Sequence, residues 1–259
     1  MTTTFSANMI GLYTLVRKEV TRILRIWTQT LLPPAITTVL YFIIFGQLIG
    51  RRVGMIEGVS YIQYIVPGLI MMSVITSAYA NVSTSFYSLK FQNSIEEIMV
   101  SPMPTWILIT GFICGGILRG ILVGIIVTII ALFFTHLAIA HIFLMAIVII
   151  FAAAFFALAG LFNALFAKSF DDVMLIPTFV LTPLTYLGGV FYSIKMLPAV
   201  WEKVSLLNPI LYLVNAFRFG VLGISDIPVA AAVGILVLCT VAAYAICWYL
   251  IKTGYGIRS

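Results

Sequence analysis

Long apolar runs alternate with short polar segments along the whole chain, and this pattern predicts a bundle of membrane-spanning helices. A bilayer core about 30 Å thick needs roughly 20 helical residues to cross it, and these runs lack the alternation of a barrel strand. Because lipid offers no hydrogen-bond partners, the spans must be helical. We therefore expect an all-α polytopic membrane protein with one transmembrane domain over residues 1–259. Its six predicted spans are residues 31–49, 61–85, 106–134, 142–166, 173–191 and 229–251.

A two-faced helix is predicted ahead of the first span, at residues 9–29. Such a helix lies along the membrane surface, where its basic face meets lipid phosphates or a polar partner. The pattern leaves open whether the helix is a lipid anchor or a protein-docking element. Its apolar stripe, at helical spacing, contains Met9, Leu12, Tyr13, Val16, Val20, Ile23, Leu24 and Trp27. The basic residues of the opposite face are Arg17, Lys18, Arg22 and Arg25.

The connection between the second and third spans predicts a short helix at residues 93–102. Asn93 with Glu96, and Ser94 with Glu97, have the spacing of N-cap pairings, and prolines end the segment. A capped helix is more ordered than a solvated loop needs to be. We favour a docking element on the cytoplasmic side.

The connection at residues 192–226 is too apolar for a free loop. Two short helices that dip into the outer leaflet and return, with a break near Asn208 and Pro209, bury its apolar residues. Such irregular backbone is tolerated in a membrane where protein covers it.

Composition agrees with this prediction and excludes a soluble protein. Hydrophobic residues make up 63% of the chain and charged residues 8%, whereas soluble domains carry about 25% charged residues. The net charge of +6 comes from residues beside the spans, where they contact membrane lipids or fix orientation, so we reject nucleic-acid binding. The side of the N-terminus carries eight basic residues, which places both termini in the cytoplasm: Arg17, Lys18, Arg22, Arg25, Lys90, Lys168, Lys252 and Arg258. The opposite side carries five: Arg51, Arg52, Lys195, Lys203 and Arg218.

Hydroxyl side chains form stripes on two predicted spans and are candidates for a substrate path. The alternative is that each hydroxyl bonds to a carbonyl of its own helix. The second span contributes Ser73, Thr76, Ser77 and Thr84. The fifth contributes Thr178, Thr182 and Thr185.

Arg119 lies in the third span and is a further candidate for the path. An arginine at that depth is costly without a cavity or a partner, although a structural bond or snorkelling explains it equally well. The same span has glycines at four-residue spacing, at Gly116, Gly120 and Gly124, which predicts close helix packing.

Catalytic chemistry has no evident place in the sequence. No phosphate-binding loop of the form G-x-x-x-x-G-K-[ST] is present, so ATP hydrolysis would need another chain. His136 and His141 have no carboxylate or cysteine near them in the sequence, and we expect no metal site and no cofactor in this chain.

Most of the chain resembles the type-2 ABC exporter permeases, a family that includes drug, lipo-oligosaccharide and polysaccharide exporters. The basic surface helix and the six spans contribute to this resemblance, together with two specific segments. The first is the cytoplasmic segment Glu96-Glu97-Ile98-Met99-Val100-Ser101-Pro102. The second runs from Leu175 to Gly223 and includes Pro183-Leu-Thr-Tyr-Leu-Gly-Gly-Val-Phe-Tyr, Leu207-Asn-Pro-Ile-Leu-Tyr and Arg218.

This resemblance implies a permease in a bacterial inner membrane that works as a two-fold dimer, with one separate cytoplasmic ATPase subunit on each copy. ATP and Mg would bind to that partner. The segment 93–102 would be the coupling helix, residues 9–29 an interface helix beside it, and Asn208 and Pro209 the break of a re-entrant outer gate. The first, second and fifth spans would line the path of an exported substrate that the sequence does not identify.

Two other classes of protein are alternatives. An autonomous channel or secondary transporter normally shows ionisable residues in its spans or internal repeats, and apart from Arg119 neither is evident in this sequence. A membrane-embedded enzyme needs clustered acids, bases or nucleophiles at one depth, and the scattered polar residues provide none.

Overall fold

The computed structural model describes residues 2–101 and 103–254. Within this part of the chain, six helical segments are long and apolar enough to cross a membrane. They are Trp27–Gly46, Tyr61–Phe91, Thr105–Phe134, Ile142–Phe166, Phe170–Leu187 and Val229–Thr253. The prediction of an all-α polytopic membrane protein with six spans is confirmed.

The helices follow one another with few long connections. The first six are α1 (Thr2–Arg25), α2 (Trp27–Tyr41), α3 (Gly50–Val53), α4 (Tyr61–Phe91), α5 (Ser94–Val100) and α6 (Thr105–Phe134). The next six are α7 (Ile142–Phe166), α8 (Phe170–Ile176), α9 (Thr182–Leu187), α10 (Ala199–Leu206), α11 (Pro209–Leu222) and α12 (Val229–Thr253). A 3-10 turn, Ile194–Met196, precedes α10.

The first and fifth spans each contain a π-helical segment, a geometry often found at functional sites. Phe42–Ile49 joins α2 to α3, and Pro177–Leu181 joins α8 to α9. Pro177 has no backbone N–H to donate, and the Thr182 hydroxyl donates to the Pro177 carbonyl at 2.9 Å. These two spans are therefore irregular, whereas α4, α6, α7 and α12 are α-helical throughout.

The central helix of the bundle is α4, the most buried of the six spans. It continues to Phe91, past the predicted end at residue 85, and packs against both α6 and α7. Near its end, Lys90 Nζ donates to the carbonyls of Leu165 at 2.8 Å and Ala167 at 3.0 Å. One end of the bundle, here called the basic end, thus holds α5 and the last turn of α7.

The opposite end, here called the hairpin end, contains a two-stranded hairpin that the sequence analysis missed. Strand β1 (Met55–Ile56) pairs antiparallel with β2 (Val59–Ser60). The two turn residues, Glu57 and Gly58, have φ values of 49° and 83°, as a type I′ hairpin turn requires. The missed strands are too short to produce an alternating pattern.

Candidate functional site

Helix α1 docks lengthwise on α6, and two glycines permit the contact. A Cβ added at Gly111 would lie 2.8 Å from Leu15 Cβ, and one at Gly115 would lie 2.8 Å from Glu19 Cβ. The contact advances by four residues along each helix, from Gly111 to Gly115 on α6 and from Leu15 to Glu19 on α1. The two helices therefore run parallel over this contact. The surface-helix prediction did not anticipate this docking.

The predicted apolar stripe of α1 is consequently divided, which corrects the sequence analysis. Ile23 from that stripe is buried, but Tyr13 and Leu24 are exposed. The helix instead buries Leu15 and Glu19 against α6. A glutamate can lie on the buried side of the helix because its carboxylate accepts hydrogen bonds from neighbouring polar side chains.

Glu19 is 1% exposed and is the centre of that cluster. Its carboxylate accepts from the Ser85 hydroxyl at 2.6 Å and from Arg22 Nη2 at 2.9 Å. The same Arg22 nitrogen donates to the Asn81 backbone carbonyl at 2.9 Å and to its side-chain oxygen at 2.8 Å. The cluster therefore fixes α1 to α4 as well as to α6. The sequence analysis missed Glu19, although its spacing of three from Arg22 was an available signal.

The basic residues of α1 surround an open groove of about 570 Å³. We call the six side chains that line it the basic cradle: Thr14, Arg17, Lys18, Thr21, Arg22 and Arg25. Burial lowers the pKa of Lys18, and the nearby Glu19 charge opposes this shift. The four predicted interface-helix residues thus lie together on one surface.

Arg119 lies one helical turn beyond Gly115 on α6 and is close enough to Arg22 for their charges to act on each other. Its Nε is buried without a hydrogen-bond partner. Among the described residues, no acceptor or acidic group bonds to Arg119. The structural bond considered from the sequence is therefore absent from this part of the chain.

The glycines at four-residue spacing in α6 make the close contacts that their pattern predicts. A Cβ at Gly116 would lie 2.6 Å from Ala157 Cβ on α7, and one at Gly120 would lie 3.1 Å from Ala153 Cβ. Gly124 faces Val74 on α4. These glycines pack the interior of one chain, so they are not free to contact a second one.

Helix α5 is shorter than the predicted 93–102 helix, and its start differs from the predicted capping. Asn93 occupies the N-cap position with φ 58° and makes no side-chain cap hydrogen bond. In this left-handed conformation, Asn93 serves as a turn residue, which corrects the predicted pairing with Glu96.

The remaining residues of this segment divide into anchored and exposed ones. Ile95 is buried, Ile98 is half-buried, and Glu97 and Ser101 are exposed. The Ser101 hydroxyl donates to the Ile98 carbonyl at 2.6 Å. Pro102 and the side chains of Glu96 and Met99 lie outside the described residues.

Most hydroxyl groups of the two stripes donate to carbonyls of their own span. This agrees with the alternative to a substrate path that the sequence analysis left open. Thr76 donates to Met72 at 2.9 Å and Thr84 to Ala80 at 2.6 Å. Thr185 donates to Leu181 at 2.7 Å and is fully buried. Of the others, Ser77 is buried, Thr182 is half-buried and Thr178 is exposed.

Ser73 and Thr76 nevertheless border a groove of about 210 Å³ between the first two spans. We call it the span 1–2 groove, and it is lined by Pro33, Pro34, Thr37, Thr38, Tyr41, Leu69, Met72, Ser73 and Thr76. Close to it, the hydroxyls of Tyr41 and Tyr186 lie 3.2 Å apart. Ser73 and Thr76 of the second-span stripe thus line a groove, and the fifth span lies close to this groove through Tyr186.

The break between α10 and α11 lies at Leu207 and Asn208, where the chain bends by 87°. Asn208 Nδ2 donates to the Leu184 carbonyl at 2.6 Å, and its Oδ1 accepts from the Ile210 backbone N–H at 3.0 Å. Pro209 follows as the first residue of α11, where a missing N–H costs nothing. One buried side chain therefore caps α11 and ties the bend to the fifth span.

The hairpin end also contains a buried charged network that the sequence analysis missed. Arg218 is 1% exposed, donates to the Gly189 carbonyl at 2.6 Å and lies 3.9 Å from the Tyr64 ring centre. The Asp226 carboxylate accepts from the Ser193 hydroxyl at 2.8 Å and from the Tyr64 hydroxyl at 3.3 Å. This network joins α4, α11 and the segments on either side of the bent pair.

We expect Asn208→Ala to loosen this bend. The change removes a helix cap and leaves a buried carbonyl without its donor, which together cost about 2 kcal/mol. Hydrogen exchange followed by mass spectrometry should then show faster exchange across residues 199–213 than in the unmodified protein. Lys203→Ala, at an exposed position of α10, is the control, and equal exchange in the two variants would contradict the role of Asn208.

A bundle of six spans with polar elements at both ends and a bent helical pair beside one of them defines a polytopic membrane protein. The sequence model of the ABC-2 type transporter family matches residues 11–222, so the chain belongs to this family. It is the permease subunit of an ABC transporter, and the family implies a separate ATPase. The chain is thus a transport component and not by itself an enzyme.

The curated relatives support this assignment. The chain is 55% identical over 250 residues to the inner membrane transport permease YadH of Escherichia coli (strain K12), which covers 96% of this chain and 98% of the relative. It is 24% identical over 217 residues to nodulation protein J of Rhizobium leguminosarum bv. viciae, with 83% of both chains covered. The protein is accordingly a multi-pass protein of the inner membrane.

Proposed function

We propose that two copies of this chain form an exporter, with one cytoplasmic ATPase subunit bound to each copy. The basic end and both termini then face the cytoplasm, as the distribution of lysine and arginine favours. ATP and Mg bind to the ATPase, and the permease supplies the path for an unidentified exported substrate. The observation that carries this proposal is the position of α5, which connects the two central spans at the basic end.

Helix α5 is the proposed coupling helix. Buried Ile95 anchors it to the core formed by α4 and α6, while Glu97, Val100 and Ser101 are exposed. An exposed helix fixed to two spans transmits a push to both of them. With the exposed carboxylate of Glu97, it also offers charge complementary to a cationic cleft. We propose that the basic cradle of α1 borders this interface.

The proposed substrate path follows the first, second and fifth spans. The span 1–2 groove lies on this route, and both irregular spans carry π-helical segments, which are more readily rearranged than a regular helix. Phe45 and Phe191 stack at 4.7 Å between ring centres beside the Tyr41–Tyr186 contact. These aromatic contacts close the route near the hairpin end.

The bent pair α10–α11 is the proposed outer gate. Asn208 couples it to the fifth span through the Leu184 carbonyl. Lys195 bonds Glu57 of the hairpin at 2.7 Å, which raises the pKa of Lys195. A shift of the fifth span therefore reaches both the gate and the hairpin.

Charge reversal of the coupling helix tests its role. We expect Glu96→Lys with Glu97→Lys to lower substrate-stimulated ATP hydrolysis about tenfold, since like charges replace complementary ones at the interface. Glu202→Lys, at the hairpin end, is the matched control and should leave the rate unchanged. If the complex that contains the double variant hydrolyses ATP at the unmodified rate while the permease remains folded, α5 does not couple the subunits.

The assembly itself is tested by purification. A tagged chain, extracted in mild detergents, should bring down an ATP-hydrolysing subunit in a two-to-two complex. Recovery of the chain alone from several such detergents would instead favour the autonomous channel or secondary transporter.

A further inference from the structure

One lysine, Lys195, joins the hairpin to the segment that leaves the fifth span. Its Nζ lies 2.7 Å from the Glu57 carboxylate and 3.5 Å from the Asp226 carboxylate. The hairpin connects the first two spans, and Lys195 lies in the 3-10 turn between the fifth span and α10. This side chain therefore links the three spans of the proposed path at their hairpin ends.

The two acidic partners of Lys195 are held differently. Asp226 is 1% exposed, accepts from the Ser193 hydroxyl at 2.8 Å, and donates its backbone N–H to Asn215 Oδ1 at 3.0 Å. Among the described residues, the Glu57 carboxylate bonds to Lys195, whose side chain is 60% exposed. An exposed ion pair is weak and is screened by salt. The Glu57 contact is thus the one of the two that can readily open.

The backbone of Glu57 indicates that its carboxylate has a role. Its φ of 49° lies in the left-handed region, where a residue with a side chain other than asparagine or aspartate is strained. Asparagine, aspartate or glycine is usual at this position of a type I′ turn, and Gly58 does follow at the second position. Such a conformation persists where surrounding contacts support it. The contact that the carboxylate makes is with Lys195.

Aromatic side chains close the same boundary between the first and fifth spans. Phe45 of the first span stacks on Phe191 at 4.7 Å between ring centres, and Tyr41 lies 5.5 Å from the same ring. The Tyr61 hydroxyl donates to the Phe191 carbonyl at 3.2 Å, which keeps the second span on this segment. Movement of the first span away from the fifth would therefore break the aromatic stack and the Lys195 contact with the hairpin.

We propose that Lys195 is the gating residue at the outer end of the path. It stays on Asp226, while its bond with Glu57 breaks when the path opens and forms again when the path closes. The buried carboxylate holds the lysine in place for that second step. This inference rests on the proposed function, because it concerns the outward opening of the proposed path.

The first test measures access to the path from the hairpin side. Thr38 is 2% exposed and lines the span 1–2 groove, so Thr38→Cys reports entry of an aqueous reagent once the three native cysteines are replaced by alanine. Spheroplasts that contain the permease and its ATPase are treated with a membrane-impermeant maleimide. Glu57→Gln and Lys195→Gln should each label about threefold faster than the otherwise unmodified reporter, the factor that one exposed ion pair contributes.

Matched controls separate the ion pair from a general effect of charge. Glu202→Gln and Lys203→Gln each remove one charge at the hairpin end, and neither residue has an ion pair among the described residues. Both should label at the unmodified rate. Lys195→Arg keeps the charge and should do the same. Equal labelling of Glu57→Gln and Glu202→Gln would overturn the proposal, as would labelling of Lys195→Arg as fast as Lys195→Gln.

Hydrogen exchange of the purified full-length chain, which needs no ATPase, separates the gate from the proposed function. Glu57→Gln should raise exchange about threefold in residues 54–60 and leave residues 193–197 unchanged, because Asp226 still holds Lys195. Faster exchange in both segments would refute the fixed half of the gate, and a faster hairpin without faster labelling would refute gating itself. Faster labelling in a protein that binds no ATPase would refute the proposed function and leave the gate standing.

Discussion

Glu19→Gln is expected to lower the free energy of unfolding by about 3 kcal/mol. Removal of one partner leaves the other charge buried and unpaired, which costs about 3–5 kcal/mol. The lower value applies because the Arg22 side chain is 26% exposed. The midpoint of thermal unfolding in one mild detergent measures this change.

A double-variant cycle separates the interaction energy between Glu19 and Arg22 from the cost of changing each residue alone. Glu19→Gln combined with Arg22→Gln should cost less than the sum of the two single changes, because neither charge is then left unpaired. Arg17→Gln, exposed on the same helix, should shift the midpoint little. Additive costs in the cycle would show that Glu19 and Arg22 do not stabilise the protein as a pair.

Gly160→Ala is expected to destabilise the bundle by about 3 kcal/mol, at the upper end of overpacking costs. The added Cβ would lie 2.5 Å from the Tyr79 carbonyl oxygen and 3.2 Å from the Ser83 backbone nitrogen. Both contacts are with backbone atoms, so no side chain can rotate away. Helices α4 and α7 would have to separate, and they form the most extensive helix pair in the protein.

A second glycine provides the matched control. A Cβ added at Gly234 in α12 has no neighbour within 4 Å, and alanine favours a helix over glycine by about 1 kcal/mol. Gly234→Ala should therefore raise the unfolding midpoint slightly while Gly160→Ala lowers it. Equal shifts for the two variants would contradict the close approach of α4 and α7.

The four-residue glycine pattern of α6 shows how far sequence alone can lead. The spacing predicts close packing, and Gly116 and Gly120 do pack closely, against α7. Gly111 and Gly115 share the same helix but contact α1. Small residues permit close approach without selecting the approaching helix, so the sequence could not assign either partner.

Arg119 and Glu19 show a similar limit for charged residues. The depth of Arg119 is evident from its place in an apolar run, but its closeness to Arg22 depends on the register of α1 on α6. The sequence analysis assigned Glu19 to neither face of the surface helix. Its burial follows from Asn81 and Ser85, which are more than 60 residues distant in the chain.

The sequence by itself determined the class of protein, the number of spans and the positions of its polar connections, because a bilayer imposes length and composition on each helix separately. Only the tertiary structure decided which polar residues are buried, which glycines meet which helices, and where grooves open between spans. These features depend on helix register and rotation, which are set by contacts between distant segments. The buried Glu19 and the open cradle beside it belong to this second group.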